Sequence, residues 1–566
     1  MYECKIGIDN STRGCKGMGF SNIHRDKITE MLSKEIFDVL VIGGGITGAG
    51  VALDATARGM KTAVVEMQDF AAGTSSRSTK LIHGGLRYLQ HGEVKMVAEV
   101  GRERAILFEN GPHITKPENM LLPIYQDGTL NKWSTRIGLT MYDRLAGVQK
   151  KERHKMLTKK AVLAKEPLVS NKGLIGAGDY IEYKTDDARL TIEVMKKAVQ
   201  LGATALNYMK VVQFIYDEQR KVIGAEIEDQ INGENYTVYA NKIVNATGPW
   251  LDSVQDLDYS KKDKALFLTK GVHLVFDQSR FPLKQAIYFD HIDGRMIFAI
   301  PRENKTYVGT TDTPYHEDTA NPSVTKEDCH YLLEAINQIF PSLHLTLVDI
   351  ESSWAGVRPL ITEKGKDPSE ISRKDEILYA ESGLISIAGG KLTAYRKMAE
   401  KVVDKIARQL KHEKGILYSP SETKLIPIAG GEVGGSAGFA EFKQRQLKRA
   451  NINIDDCVKG LYIDRYGKNV EKIWQNYYSY YQEAQHFEVE PLVFAELIYA
   501  LEEECIYMPL DFFMRRTGDL FFNLESVERN GAGVLAYLEK KLHWNRDETA
   551  YYKRELTLAC QKPFYS

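Results

Sequence analysis

The chain has 566 residues, 43% hydrophobic and 27% charged, with a formal net charge of −1. That length allows about three domains, and the composition is that of a globular protein rather than a disordered or fibrous one. The balanced charge provides no global field for nucleic acid, so no such partner is expected.

The six cysteines, Cys4, Cys15, Cys329, Cys457, Cys505 and Cys560, are scattered and never form CxxC. This predicts a reducing, cytoplasmic compartment, no disulfide framework and no metal site. No apolar run reaches the length of a membrane-spanning helix. Met1 to Glu30 is polar and shows no clear period, and residues 1–35 are set apart from the domains that follow. They are expected to form a poorly ordered extension, with Met31 as an alternative start.

Asp38 to Glu66 reads DVLVIGGGITGAGVALDATARGMKTAVVE. Val39 to Ile42 is the continuous apolar run of a parallel strand buried on both faces. Gly43, Gly45 and Gly48 follow as GxGxxG. The first allows a tight turn, the second lets the backbone approach a pyrophosphate, and the third lets the helix pack close to the sheet. Ile46 and Thr47 open that helix, Gly59 ends it, and Thr62 to Val65 is the next strand. Glu66, with Met67 beside it, lies about 20 residues beyond the turn, where a ribose hydroxyl is expected. A bound dinucleotide is predicted.

A hydroxyl-rich run comes next: Thr74, Ser75, Ser76, Ser78 and Thr79, then Leu81 and His83-Gly84-Gly85-Leu86-Arg87-Tyr88. Taken alone it is a solvated loop or a helix cap. One segment after a dinucleotide turn, it reads as the continuation of a flavin site, whose hydroxyls and amides hold phosphate, ribityl and ring edges.

Met96 to Asn110 has helical spacing. Lys132 to Lys160 is strongly basic, with Asp143 and Glu152 as its acids and apolar Trp133, Ile137, Leu139 and Met141 interleaved. This pattern fits either an amphipathic surface for anionic lipid or a solvated helix packed on the core. Ala203 to Ala240 alternates like strands, with turns at Asp217-Glu218 and Asn232-Gly233, and leads to a strand ending in Ala246-Thr247-Gly248. Phe267 to Tyr315 is strand-rich. Leu384 to Ala388 is a buried strand that turns at Gly389-Gly390 into a helix from near Lys391 to about Gln409. His412 to Gly438 reads as a linker carrying one short strand, Leu425 to Ile428. Helical spacing then recurs over 440–449, 470–484, 491–505, 511–521 and 531–542.

GGGITGAG, GTSSRSTKLIHGGLRYL, TDDARL, NATGPW, GTTDTPY, GVRPL and GGKLTAYRKMA occur in this order. The set resembles the FAD-dependent, quinone-linked glycerol-3-phosphate dehydrogenases of aerobic glycerol catabolism, from about Ile36 to the C-terminus. The resemblance implies an α/β fold: an FAD-binding Rossmann-like domain of glutathione reductase and D-amino-acid oxidase type, an interleaved β-sheet substrate domain and a C-terminal all-helical domain. The implied oxidoreductase core spans 36–411, with FAD-binding segments at about 36–110, 170–250 and 350–411 and cap segments at about 111–169 and 251–349. A linker and helical domain fill 412–566.

The resemblance implies oxidation of sn-glycerol 3-phosphate to dihydroxyacetone phosphate. The expected cofactor contacts are Gly43, Gly45, Ile46, Thr47, Gly48, Glu66, Met67, Thr74, Ser75, Ser78, Thr79 and Leu81. They continue with Ala246, Thr247, Gly248, Gly389, Gly390, Lys391, Leu392 and Thr393. His83 is the candidate base, because imidazole titrates near working pH; the alternative is a structural histidine beside the flavin. Arg87 and Arg358 are candidate phosphate or hydroxyl clamps, suited by the planar guanidinium. Lys391 is a candidate for the flavin's pyrimidine end or the substrate phosphate. Lys270, His273, Tyr88 and Thr393 are further substrate candidates. In a second arrangement, Arg358 or Lys391 orients the hydroxyl while water takes the proton. Asp186 and Asp187 are expected to cap or pair.

The implied partners are a membrane quinone as acceptor, peripheral contact with the inner face of the cell membrane, and a second copy in a homodimer. An oxidase relative tends to carry a long insertion after GVRPL, and the short Ile361–Glu376 stretch favours the dehydrogenase. An amino-acid oxidase would clamp a carboxylate and would not explain the C-terminal helices. A flavin-holding binding protein would not need His83, Arg87, Arg358 and Lys391 together. A nicotinamide enzyme is disfavoured by the hydroxyl-rich loop.

Overall fold

The computed structural model describes residues 19–83, 93–148, 150–260, 264–363, 375–449 and 452–561. Among these residues the strands form two sheets, of eight and ten strands. The strand Ile36–Ile42 lies inside the first sheet, parallel to Thr62–Val65 on one side and Asn235–Asn245 on the other. Thr204–Leu206 and Ile385–Ala388 extend the parallel run outward. Val39, Leu40 and Val41 are fully buried, as their continuous apolar run requires. The helix Ile46–Ala57 follows the turn and packs against Asp187–Gln200 and Tyr395–Lys414.

Two glycines make this arrangement possible. Gly43 has φ +106°, and a Cβ there would lie 2.6 Å from the Ala246 carbonyl oxygen. A Cβ at Gly48 would meet the Gly43 carbonyl oxygen at 1.9 Å. The turn, the neighbouring strand and the helix therefore approach one another only with glycine at both places.

In the second sheet Lys264–Asp277 and Ile350–Glu363 form a long antiparallel ladder with a bulge near Val275 and Phe276. Lys116–Tyr125 pairs with Leu174–Lys184, and Leu81–Ile82 adds to the latter's edge. Leu174–Lys184 and Ile350–Glu363, expected within FAD-binding segments, are strands of the second sheet. Antiparallel partners from the cap segments recruit them, and pairing of that kind is not written in local pattern.

Residues 19–34 also differ from expectation. Instead of a poorly ordered extension, Asn22–His24 and Arg25–Lys34 are helical. Arg25 pairs with buried Asp229 at 2.7 Å, and Ser21 Oγ donates to the Leu501 carbonyl at 2.6 Å. Ile28 and Leu32 are buried. The polarity that suggested solvation is spent on buried pairing across the chain.

Beyond residue 411, Leu425–Ile428 is not a strand. Helices run over Gly435–Arg449, Val470–Ser479, Pro491–Glu503 and Leu524–Leu542. Asp456–Tyr466 and Arg546–Cys560 are helices that the periodicity did not reveal. The first buries Lys459, Gly460, Ile463 and Tyr466, so a lysine stem and a glycine replace two of the apolar marks on its inner face.

Candidate active site

A cavity of about 790 Å³ lies where the two sheets meet, a size suited to a large cofactor and small substrate. At one end it is walled by Gly43, Gly45, Glu66, Met67 and the edge residues Met209 to Val212. The Glu66 carboxylate accepts from Gly44 N at 2.6 Å and Gln68 N at 2.8 Å. Burial raises its pKa, and these two amides oppose the rise. Two amide contacts leave carboxylate lone pairs for a further donor.

The hydroxyl-rich loop forms the next stretch of wall and is held mostly from behind. Ser75 Oγ accepts from Ile46 N at 2.9 Å, and Thr74 Oγ1 donates to the Val357 carbonyl at 2.6 Å. Ser78 donates through N and Oγ to Asp187, which also takes Lys80 Nζ at 2.6 Å. Asp186 caps the helix Asp187–Gln200 and pairs with Arg302 at 2.8 Å. Both aspartates therefore hold structure.

His83, Arg358 and Lys391 also line the cavity, with Tyr288, Phe298 and Arg295. Burial lowers the His83 imidazole to about 4, and the positive charges of Lys391 and Arg104 add to the effect. The ring is therefore neutral at neutral pH, with a free lone pair but less basic than an ordinary imidazole. Its edge meets Phe298. Arg358 Nη2 donates to Thr310 Oγ1 at 2.9 Å, and Nη1 lies 3.3 Å from Asp312 Oδ1. A Cβ at Gly271 would sit 2.2 Å from Arg358 Nη2, so that glycine makes room for the guanidinium. Lys391 precedes the turn Leu392–Ala394, and its Nζ lies 3.0 Å from Met96 Sδ.

Most of the expected residues that the structure describes line this cavity, but four do not. Gly48 serves the close packing described above. Thr393 is buried and donates to the His83 carbonyl at 3.3 Å, so it steadies His83 from behind. Lys270 pairs with Asp328 at 2.6 Å. Side chains alternate along a strand: Gly271 faces Arg358, so Lys270 faces away. His273 stacks on Trp354 with centroids 4.8 Å apart and meets Thr79 Oγ1 at 3.0 Å. Neither Lys270 nor His273 is part of the wall. Arg87 and Tyr88 lie outside the described residues.

The sequence reading missed Tyr180, Glu182, Tyr288, Arg295 and Phe298. Tyr180 and Glu182, two apart on Leu174–Lys184, share one face of that strand, and this spacing was the available signal. Glu182 accepts from Tyr142 Oη at 2.7 Å and Arg104 Nη1 at 2.9 Å.

The C-terminal helices reach this region through charge. Arg516 is fully buried and grips Asp69 with two guanidinium nitrogens, at 2.7 and 2.9 Å. Arg515 contacts Asp69 and Asp511. Asp69 lies three residues beyond Glu66. Burial pushes its carboxyl up, but Arg516 and Arg515 outweigh this and hold it below the usual range.

A family model described as FAD dependent oxidoreductase matches residues 38–396. The C-terminal domain of alpha-glycerophosphate oxidase matches residues 421–549. An aerobic glycerol-3-phosphate dehydrogenase of Staphylococcus haemolyticus is 53% identical over 549 residues, covering 96% of this chain and 98% of its own. The chain belongs to that family. The Bacillus subtilis relative of the same name is 55% identical over 537 residues, covering 94% of this chain and 96% of its own. A glycerol-3-phosphate dehydrogenase from Bacillus halodurans, solved in complex with FAD, superimposes with a TM-score of 0.84 at 46% identity and covers 97% of this chain and 99% of its own.

The cofactor is accordingly FAD, and the residues present fit it. The glycine turn admits no Cβ, Glu66 stands at the strand end, and the cavity continues from there to His83 and Lys391.

Proposed function

We propose that this protein oxidises sn-glycerol 3-phosphate to dihydroxyacetone phosphate and passes the electrons to a membrane quinone. The observation that carries the reading is the joining, in one cavity, of a dinucleotide-type glycine turn to a cluster of His83, Arg358 and Lys391. FAD, when bound, supplies the acceptor for the carbinol hydride. The chain supplies the rest. A neutral His83 ring nitrogen takes the hydroxyl proton. Arg358, fixed by Thr310, Thr311 and Asp312, orients that hydroxyl with its planar donors. Lys391 attracts the phosphate and favours negative charge at the helix end that it precedes. Phe298 and Tyr288, stacked with centroids 4.1 Å apart, exclude water from one wall.

Among the described residues no helix is long and apolar enough to cross a membrane. Contact with the membrane, in this reading, is peripheral and on the inner face.

The test is anaerobic mixing of the flavin-loaded protein with sn-glycerol 3-phosphate, followed by either a soluble quinone or oxygen. Bleaching of the flavin band with fast recovery on quinone alone is expected. Fast recovery on oxygen with peroxide formation would replace the dehydrogenase with an oxidase. Absence of bleaching would overturn the substrate.

A further inference from the structure

The helix Lys132–Leu145 plays no part in the site just described, yet its outer face is unusual. Its inner face buries Thr135, Leu139 and Tyr142 against the strand Leu174–Lys184. Leu139 packs where a Cβ at Gly178 would lie, 2.6 Å from its Cδ1. The opposite face carries Trp133, Ile137 and Met141, spaced four apart, with 75%, 59% and 40% of their surfaces exposed. Three large apolar side chains in register on one helical stripe make a continuous exposed patch.

The exposed charges on this helix and just beyond it are of one sign. Lys132, Arg136 and Arg144 on the same helix are exposed, as are Lys150, Arg153 and Lys155 just beyond it. The acids of the stretch are turned inward. Asp143 is buried and meets His154 Nδ1 at 2.7 Å, and Glu152 is half-buried near Tyr183. The Asp143–His154 contact folds the basic segment back beside the helix. At the other end, Asp290 accepts from Thr129 N at 2.7 Å and Oγ1 at 2.8 Å. That contact brings the turn carrying Ile292, 82% exposed, against the loop entering the helix.

We propose that this face, centred on Trp133, Ile137 and Met141 and rimmed by Lys132, Arg136 and Arg144, is the surface by which the protein lies on an anionic lipid bilayer. The chemistry is that of an interfacial helix: an apolar stripe at acyl-chain depth, an aromatic ring at the headgroup boundary and cations facing anionic headgroups. A protein partner of matching acidity would satisfy the charges, but lipid also accommodates an apolar stripe that has no groove shape to match. The inference rests on the peripheral-membrane reading above and assigns the surface that makes the contact. The same helix donates Tyr142 Oη to Glu182, which lines the cavity, so the helix and the strand carrying Glu182 stand between the bound bilayer and the site.

The test is co-sedimentation of the full flavin-loaded protein with vesicles of phosphatidylglycerol and phosphatidylcholine in equal parts, and with vesicles of phosphatidylcholine alone. Wild type is expected to bind the anionic vesicles, and more weakly as salt rises. A Trp133→Asp/Ile137→Asp double variant, and independently Arg136→Glu/Arg144→Glu, are each expected to bind about tenfold or more weakly. Turnover with a soluble quinone should be unchanged in both. Binding by wild type and both variants alike would overturn this surface while leaving the peripheral reading intact. Failure of wild type to bind any vesicle would overturn both. Conversion of a dimer to a monomer in the variants, with vesicle binding retained, would make the face a self-association surface and overturn the lipid assignment.

Discussion

Two clusters of charge in this molecule are built on opposite principles. At the junction with the C-terminal helices, Asp69, Arg515, Arg516 and Asp511 are buried and locked to one another. In the cavity wall, His83, Arg358 and Lys391 border open space. Buried charges cost much desolvation and persist only with full pairing, so the first cluster can do nothing except hold position. The second keeps donors, charge and a neutral imidazole facing a volume that a substrate can fill. Charge alone does not mark a site; charge facing a cavity does.

The comparison is broken most severely at the closed cluster. Arg516→Met leaves Asp69 buried with half of its pairing. It is expected to cost about 3–5 kcal/mol of stability, measured by denaturant unfolding, with loss of bound FAD because Asp69 follows Glu66 so closely. At the open cluster, His83→Asn should leave stability nearly unchanged and lower kcat by roughly 10²–10⁴-fold, seen in steady-state turnover with quinone. Gly43→Ala places a methyl group against Ala246 and should abolish flavin retention, read from the absorbance of the purified protein.

Acid sharpens the contrast. Asp69 is depressed in the folded protein, so its pairing contributes fully above the unfolded value of about 3.9 and is lost as pH falls through the lower folded value. Urea midpoints measured against pH should show that loss in wild type and not in Asp69→Asn. The smallest effect is expected far from both clusters. Trp133→Ser should change stability by no more than about 0.5 kcal/mol, measured by thermal unfolding, and leave turnover with a soluble acceptor unaltered.

What was legible in the sequence follows the same division. Gly43, Gly45 and the hydroxyl run could be read because backbone geometry demands those residue types in those places. Arg358 stood out because it is wedged between Val357 and Pro359. Lys270 and His273 drew attention as part of the TKGVH stretch, but strand alternation turns Lys270 away to Asp328, while His273, on the face of Gly271, is taken up by the Trp354 stack and Thr79. The partnership of Asp69 with Arg516 spans 447 residues, and no local pattern announces it. Tyr180 and Glu182 went unnoticed because their strand belongs to a sheet whose partners come from distant segments.

The most direct test of the central claim is the anaerobic rate of flavin reduction by sn-glycerol 3-phosphate, measured against pH in wild type and His83→Asn. With the imidazole lowered to about 4, the wild-type rate should hold well below the ordinary histidine value of about 6.5 before it falls. The variant should be slower by about 10²–10⁴-fold and lack that acid limb. Equal rates and the same pH profile in both proteins would contradict the account and leave His83 a structural residue beside the flavin.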